Sequence, residues 1–368
     1  MKNLKRFLRY EIGLIIFILA ISANYGIGGE SQSGVVIAKI TRDTVVPEEV
    51  VLERINQQVQ AAVAVQNRHT PGFMSLPGVV GTATGLTEDG RPAILVFTKT
   101  AAGKGVIPDS LEGVPVVTMV SGAIFAMEKP TAKPSAVRVD PTGYFKRPVP
   151  IGVSTGSVNE CSSGTIGARV KDSSDNVYAL SNNHVYALEN TAPLGIAVLQ
   201  PGLYDTTCIA SYSDQQIGTL SNYESIIFST SASNTIDAAI AISSLSNLGN
   251  STPSNGYGTP RSATVSGGLG LAVQKYGRTT SLTRGTITGI NATVDVSYSS
   301  GVARFVDQII VYSNKPFIQA GDSGSLLVTE PGKNPVGLLF AGSSSGKYAV
   351  ANQIDLVLSR FGVTIDGE

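Results

Sequence analysis

Three short motifs place reactive side chains at the ends of apolar, β-branched runs: Ser181-Asn182-Asn183-His184, Thr235-Ile236-Asp237 and Gly321-Asp322-Ser323-Gly324. A serine hydroxyl is a poor nucleophile until an imidazole takes its proton. The imidazole serves best when a carboxylate fixes its tautomer and stabilises its charged form. His184, Asp237 and Ser323 supply that set in the order His, Asp, Ser. Asp237 opens the apolar run Ala238 to Ile242, where an unpaired buried carboxylate would be costly. Glycine at 321 lets the N–H groups of Gly321 and Ser323 turn toward a developing oxyanion, a task that needs close backbone approach without a Cβ. Gly-Asp-Ser-Gly also occurs in ordinary turns, and an aspartate before a strand is often only a cap; the conjunction carries the reading.

Counts narrow the chemistry further. With two histidines and two cysteines the chain lacks the residues for an ordinary Cys/His zinc cluster, and any imidazole base is His69 or His184. His69 has no carboxylate, cysteine or serine motif around it and reads as a surface or loop residue. The 27 basic and 27 acidic side chains balance, so no uniform field attracts a polyanion. Neither nucleic acid nor a metal or other cofactor is expected.

The elements that must position these residues fall into segments. At roughly 150 residues per domain, a chain of 368 residues suggests two domains. Lys2, Lys5, Arg6 and Arg9 precede an apolar run from Ile12 to Ile21 and the small residues Ser22 and Ala23, the pattern of a signal peptide over residues 1–23. An uncleaved anchor is the alternative, and only that alternative would bring a membrane into play. Both readings place the rest of the chain outside the cytosol. There thiols tend to pair, and Cys161 and Cys208 allow one bridge closing a loop of about 46 residues.

Residues 24–128 read as a small α+β unit, a pro-region or accessory domain. Val51, Ile55, Val59, Ala62 and Val63 recur at helical spacing between Pro47 and Asn67. Gly78 to Leu86 and Pro92 to Thr100 then make a hairpin across Thr87-Glu88-Asp89-Gly90, and Val114 to Val120 gives a third strand. Residues 129–150 hold Pro130, Pro134, Pro141, Pro148 and Pro150 among basic residues, which predicts an extended linker open to nicking. From Ile151 to Glu368 the pattern changes to short β-branched runs punctuated by Gly, Ser, Asn and Asp, the signature of an antiparallel barrel or sandwich; only Asn352 to Phe361 looks helical.

Over residues 150–361 these motifs resemble the chymotrypsin-like serine peptidases, in particular bacterial enzymes of the streptogrisin and α-lytic type. Cys161-Ser162-Ser163-Gly164 is similar to that family's opening strand, and Gly277-Arg278-Thr279-Thr280 to a run typical of the bacterial members. The resemblance implies a mainly β fold of two antiparallel six-stranded barrels with His184 as general base, Asp237 as its orienting carboxylate, Ser323 as nucleophile and an oxyanion hole at Gly321 and Ser323. It also implies a specificity pocket with Phe317 at its floor and Gly342 on its wall. Phe317 is not acidic, so a small or apolar residue before the scissile bond is expected rather than Lys or Arg. Phe340 stands where the family generally has serine, and Val185 where bacterial members carry a cysteine. Asp322 is expected to pair with an internal cation, Lys275 or Arg278, rather than with a new terminus at Ile151.

The function implied is that of a secreted serine endopeptidase acting on polypeptide through an acyl-enzyme. A non-proteolytic binding module on the same scaffold, or an esterase using the same serine, are the competing readings.

Overall fold

The computed structural model describes residues 48–103, 105–126, 139–210 and 214–368. The expected signal segment, residues 1–23, and the first part of the linker, 129–138, lie outside them. The chain divides into two compact units, residues 1–56 and 57–368, and the second carries the site.

Helix α1 (Glu48–Met74) runs past its expected end at Asn67, so His69 is helical rather than in a loop. The extension holds because Phe73 joins Val65, Ile94 and Val96 in a buried cluster, and this outweighs the hydrogen bond that Pro71 cannot donate. His69 does have a carboxylate: its Nε2 lies 2.8 Å from Glu112 Oε1. Arg68 and then His69 hold the Glu112 carboxyl down at about 2. Strands β1 (Val79–Leu86) and β2 (Pro92–Thr98) form the expected hairpin. They are followed by β3 (Ser110–Leu111), β4 (Val114–Val120) running parallel to β2, and β5 (Ile124–Ala126).

The next elements are β6 (Ser154–Ser157), β7 (Gly164–Thr165), β8 (Ala168–Asp172), β9 (Val177–Ser181), the short helix α2 (Asn183–Tyr186), β10 (Ala197–Leu199), β11 (Gln216–Tyr223) and β12 (Ala239–Ile242). After them come β13 (Ala272–Gly277), β14 (Ser281–Tyr298), β15 (Gly301–Tyr312), β16 (Leu326–Thr329), β17 (Pro335–Ser343), β18 (Tyr348–Gln353), helix α3 (Ile354–Phe361) and β19 (Val363–Ile365). The protein is mainly β. Strand β13 pairs with β16 on one edge and β14 on the other, so the order β13-β16-β17-β18-β15-β14 closes into a ring. The other sheet runs open, in the order β19-β8-β9-β12-β11-β10-β6-β7. One ring and one open sheet therefore stand where two closed barrels were expected.

Two breaks in expected strands serve the site. The run Thr165 to Lys171 splits between β7 and β8 at Gly167, where a Cβ would come within 2.2 Å of the Gly324 carbonyl oxygen. Residues 236–238 leave the strand expected from Ile236: the Asp237 N–H donates to the Asn352 side chain at 3.0 Å instead of to a ladder partner.

Residues 57–126 fall in the same compact unit as residues 139–368. Strand β14 pairs with β1 through Gly81 and Val294, and with β5 through Ile124 and Val296. Leu95 and Phe97 lie in one buried cluster with Val294, Phe305 and Phe340 of the ring. The second half of the linker is likewise packed rather than extended in solvent. Val149 sits in the core with Ile151 and Val153, and the Arg147 guanidinium donates to Asn247 Oδ1 at 2.7 Å. Proline fixes φ without forbidding burial, and the apolar residues between the prolines drive it.

Truncating Phe97 should test the shared core. Phe97→Ala is expected to lower stability by about 3–4 kcal/mol, with residues 57–126 and the ring unfolding in one transition, as followed by urea denaturation with near-UV and far-UV probes.

Candidate active site

Strand β9 ends at Ser181, and the single turn of α2 that comes next buries His184 against the residues ahead of β12. There Asp237 is fully buried. Its Oδ2 lies 2.5 Å from His184 Nδ1, and its Oδ1 accepts the His184 backbone N–H at 3.2 Å. A carboxylate at Nδ1 selects the tautomer protonated there and leaves Nε2 as the basic nitrogen. Three further groups hold the aspartate. Tyr298 donates its hydroxyl to Oδ2 at 2.9 Å, the Asn182 side-chain amide donates to the Asp237 carbonyl at 2.7 Å, and Asn352 takes the Asp237 N–H. Asn352 is held in turn by donating to Gln308 Oε1 at 2.7 Å.

The turn bearing Ser323 packs onto the same corner. Its carbonyl accepts the Thr165 N–H at 2.8 Å, and the Gly324 N–H donates to the Leu339 carbonyl at 2.9 Å. A Cβ on Gly324 would sit 2.2 Å from Ser181 Oγ, and one on Gly164 would strike Val185 at 2.6 Å while lying 3.1 Å from the Ser323 carbonyl. Glycine at 324 lets the serine turn lie against Ser181, and glycine at 164 lets β7 fit between Val185 and the Ser323 carbonyl. Gly321 adopts φ +95°, a conformation that L side chains resist, and its carbonyl accepts the Thr165 hydroxyl at 2.8 Å. Ser323 Oγ donates to the Phe340 carbonyl at 3.4 Å.

Behind the turn, the Asp322 carboxylate is fully buried and collects the N–H groups of Thr279, Thr280 and Gln319 at 2.8–3.0 Å, together with the Thr280 hydroxyl. Lys275 Nζ lies 3.5 Å from Asp322 Oδ2. Burial pushes the Lys275 ammonium below its ordinary range, against the pull of Asp322, which raises it. Arg278 takes a different partner, Asp205, in the short turn Leu203–Thr206. Asp205 also accepts the Ser154 hydroxyl at 2.6 Å. Cys161 and Cys208 form a disulfide that closes the loop containing Asp205. Ile151 N–H donates to the Ser251 carbonyl at 3.1 Å within the continuous chain, and its side chain is buried.

The residues expected at the pocket, Phe317 and Gly342, both lie in the ring. Phe317 is fully buried in the core of the ring with Val273, Ile287 and Val311, and its carbonyl accepts the Thr283 hydroxyl at 2.8 Å. Gly342 belongs to β17, whose residues Ala341, Gly342 and Ser343 pair antiparallel with Ala126, Phe125 and Ile124 of β5.

Sequence reasoning did not find Tyr298, Asn352, Gln308 or Asp205. Asn182 lay within the histidine motif; the other four reach the site from distant strands or turns without a local signal.

No protein-family model matches the sequence, and none of the curated proteins does. Among solved structures, the chain is similar to a glutamic acid specific serine protease that uses a histidine triad in substrate binding, at 20% identity and TM-score 0.42, over 59% of this chain and 100% of that one. It is also similar to Nocardiopsis protease, at 19% identity and TM-score 0.43, over 59% and 99%. Thermobifida fusca protease A matches at 20% identity and TM-score 0.43, over 60% and 100%.

The buried cation can be tested directly. Lys275→Met should leave Asp322 without its cation and lower stability by about 3 kcal/mol, read as a fall in the urea midpoint at neutral pH.

Proposed function

We propose that the protein is an exported serine endopeptidase of chymotrypsin-like architecture, with the ring and the open sheet meeting at the His184 corner. The observation that carries this reading is the His184–Asp237 pair, buried at 2.5 Å, together with a glycine-flanked serine turn packed against Ser181 at the end of the strand that leads to the histidine.

The chemistry is set by those positions. Ser323 Oγ attacks the carbonyl carbon of a peptide bond while His184 Nε2 takes the hydroxyl proton and Asp237 stabilises the resulting imidazolium. The carbonyl π bond opens, and the N–H groups of Gly321 and Ser323 receive the negative oxygen. Collapse of this intermediate expels the amine, which takes its proton from His184 and leaves an ester on Ser323. Water, deprotonated by His184, then attacks the ester and restores the serine.

Residues 24–128 are read as a pro-region, and residues 129–150 as the segment whose cleavage frees the site. Two features support this. Ser323 and the side chains of His184 and Asp237 are buried in the intact chain. Strand β5 also occupies the β17 edge beginning one residue beyond Phe340, whose carbonyl takes the Ser323 hydroxyl. A substrate chain laid beside Ser323 would need that same edge. The Cys161–Cys208 bridge fits an oxidising compartment. Among the described residues no helix is long and apolar enough to cross a membrane. Asp322 already faces Lys275, so activity is proposed to need no free terminus at Ile151.

Fluorophosphonate labelling tests the reading. A chain cut between residues 129 and 138 should label rapidly on Ser323 and digest casein. Ser323→Ala should abolish labelling, and His184→Ala should slow turnover by about 10^4-fold or more. An uncut chain should label slowly. Absence of labelling in the cut chain would refute the peptidase reading, and labelling with ester but no peptide hydrolysis would make the protein an esterase.

A further inference from the structure

The His184–Asp237 pair has a third member that the sequence motifs do not contain. Tyr298, the last residue of β14, brings its hydroxyl to within 2.9 Å of Asp237 Oδ2, the oxygen that also faces His184 Nδ1. The residue is 8% exposed, so the hydroxyl is placed where a partner is needed. Its ring is fixed from several sides. It meets the His184 imidazole edge to face at 5.9 Å and 70°, meets Phe228 at 5.6 Å and 75°, and lies tilted against Phe305 at 6.1 Å. The tip of the β14–β15 hairpin is pinned as well, because Glu189 accepts the N–H groups of Ser299 and Ser300 at 3.2 and 2.7 Å.

We propose that Tyr298 is a positioning residue for the His184–Asp237 pair, its hydroxyl holding the Asp237 carboxylate in line with Nδ1 while its ring closes one side of the imidazole. The consequence for catalysis rests on the peptidase reading above; the effect on the pair itself does not.

The physics gives a direction. A hydroxyl that donates to Oδ2 withdraws part of the negative charge that would otherwise hold the imidazolium. The titratable groups placed against the imidazole include Asp237, from the segment ahead of β12, and Tyr298, from β14. Glu189 is the charged group that anchors the hairpin tip. Without the hydroxyl, more carboxylate charge faces His184, so its protonated form is held more strongly. The carboxylate also loses a restraint on its rotation.

Tyr298→Phe removes the hydroxyl and keeps the ring. The chain has two histidines, so His69→Gln assigns the imidazole resonances, and a pH titration followed by NMR reads His184 alone. Tyr298→Phe should raise the His184 titration midpoint by roughly 0.5 pH unit and move the Nδ1 proton resonance. In the cut enzyme kcat should fall about 10- to 100-fold, the range of a hydrogen bond to a charged group, with KM changed less than about twofold and the acid limb of kcat moved upward with the midpoint. Tyr298→Leu, which also removes the ring, should lose more. An unmoved His184 titration in Tyr298→Phe overturns the proposal, whether or not kcat falls, because a fall alone would belong to packing. The titration needs no turnover, so an inactive parent chain refutes the peptidase reading while this test still reads out.

Discussion

A carboxylate taken out of water is costly unless donors meet it, and the fully buried Asp237 sets that requirement at the centre of this protein. Its donors come from every side. The short helix after β9 supplies a backbone N–H and an imidazole, and the end of β14 supplies a phenol. β18 contributes Asn352, which takes the aspartate's own N–H and leans on Gln308 of β15. The open sheet and the ring must therefore meet at this residue. The break in the strand ahead of Ala239 answers the same demand, because a carboxylate that turns toward His184 takes its backbone out of the ladder.

Two buried ion pairs repeat this logic nearby. Lys275 and Arg278 leave one end of β13 in different directions, the first toward Asp322 behind the serine turn and the second toward Asp205 in the disulfide-closed loop. Polar groups with so few alternatives inside a low-dielectric interior specify an arrangement as much as they stabilise one. Apolar burial supplies the bulk of the cohesion, and it runs without interruption from the helix-and-sheet layer of residues 57–126 into the ring through Phe97, Val294, Phe305 and Phe340.

The sequence disclosed local features well and distant ones poorly. The histidine, aspartate and serine motifs are legible because each is a short pattern of residue types, and Gly324 of the serine turn lies against Ser181 at the end of β9. The hairpin at Thr87 to Gly90 was equally readable from turn chemistry. The sharing of β14 between the ring and β1 was hidden, since alternation along a strand says which face is apolar and nothing about which strand lies at its edge. Tyr298 was hidden for the same reason, as a tyrosine at the end of a long strand looks like an ordinary strand residue until the chain folds it over an imidazole. The prolines before Ile151 misled for a different reason: they announced extended backbone, and extended backbone can be buried when Val149 and its neighbours are apolar.

Gly277 lies where β13 passes the serine turn, and a Cβ there would come 2.5 Å from Ser325 Oγ and 2.6 Å from Asp322 Oδ1. Strand and turn are thus in close contact, with an ion pair locked behind them. The turn is held from two sides, by that contact and by the N–H groups of Thr279, Thr280 and Gln319 on the Asp322 carboxylate. On the peptidase reading proposed above, a substrate chain would gain this corner by displacing β5 from the β17 edge rather than by shifting the turn.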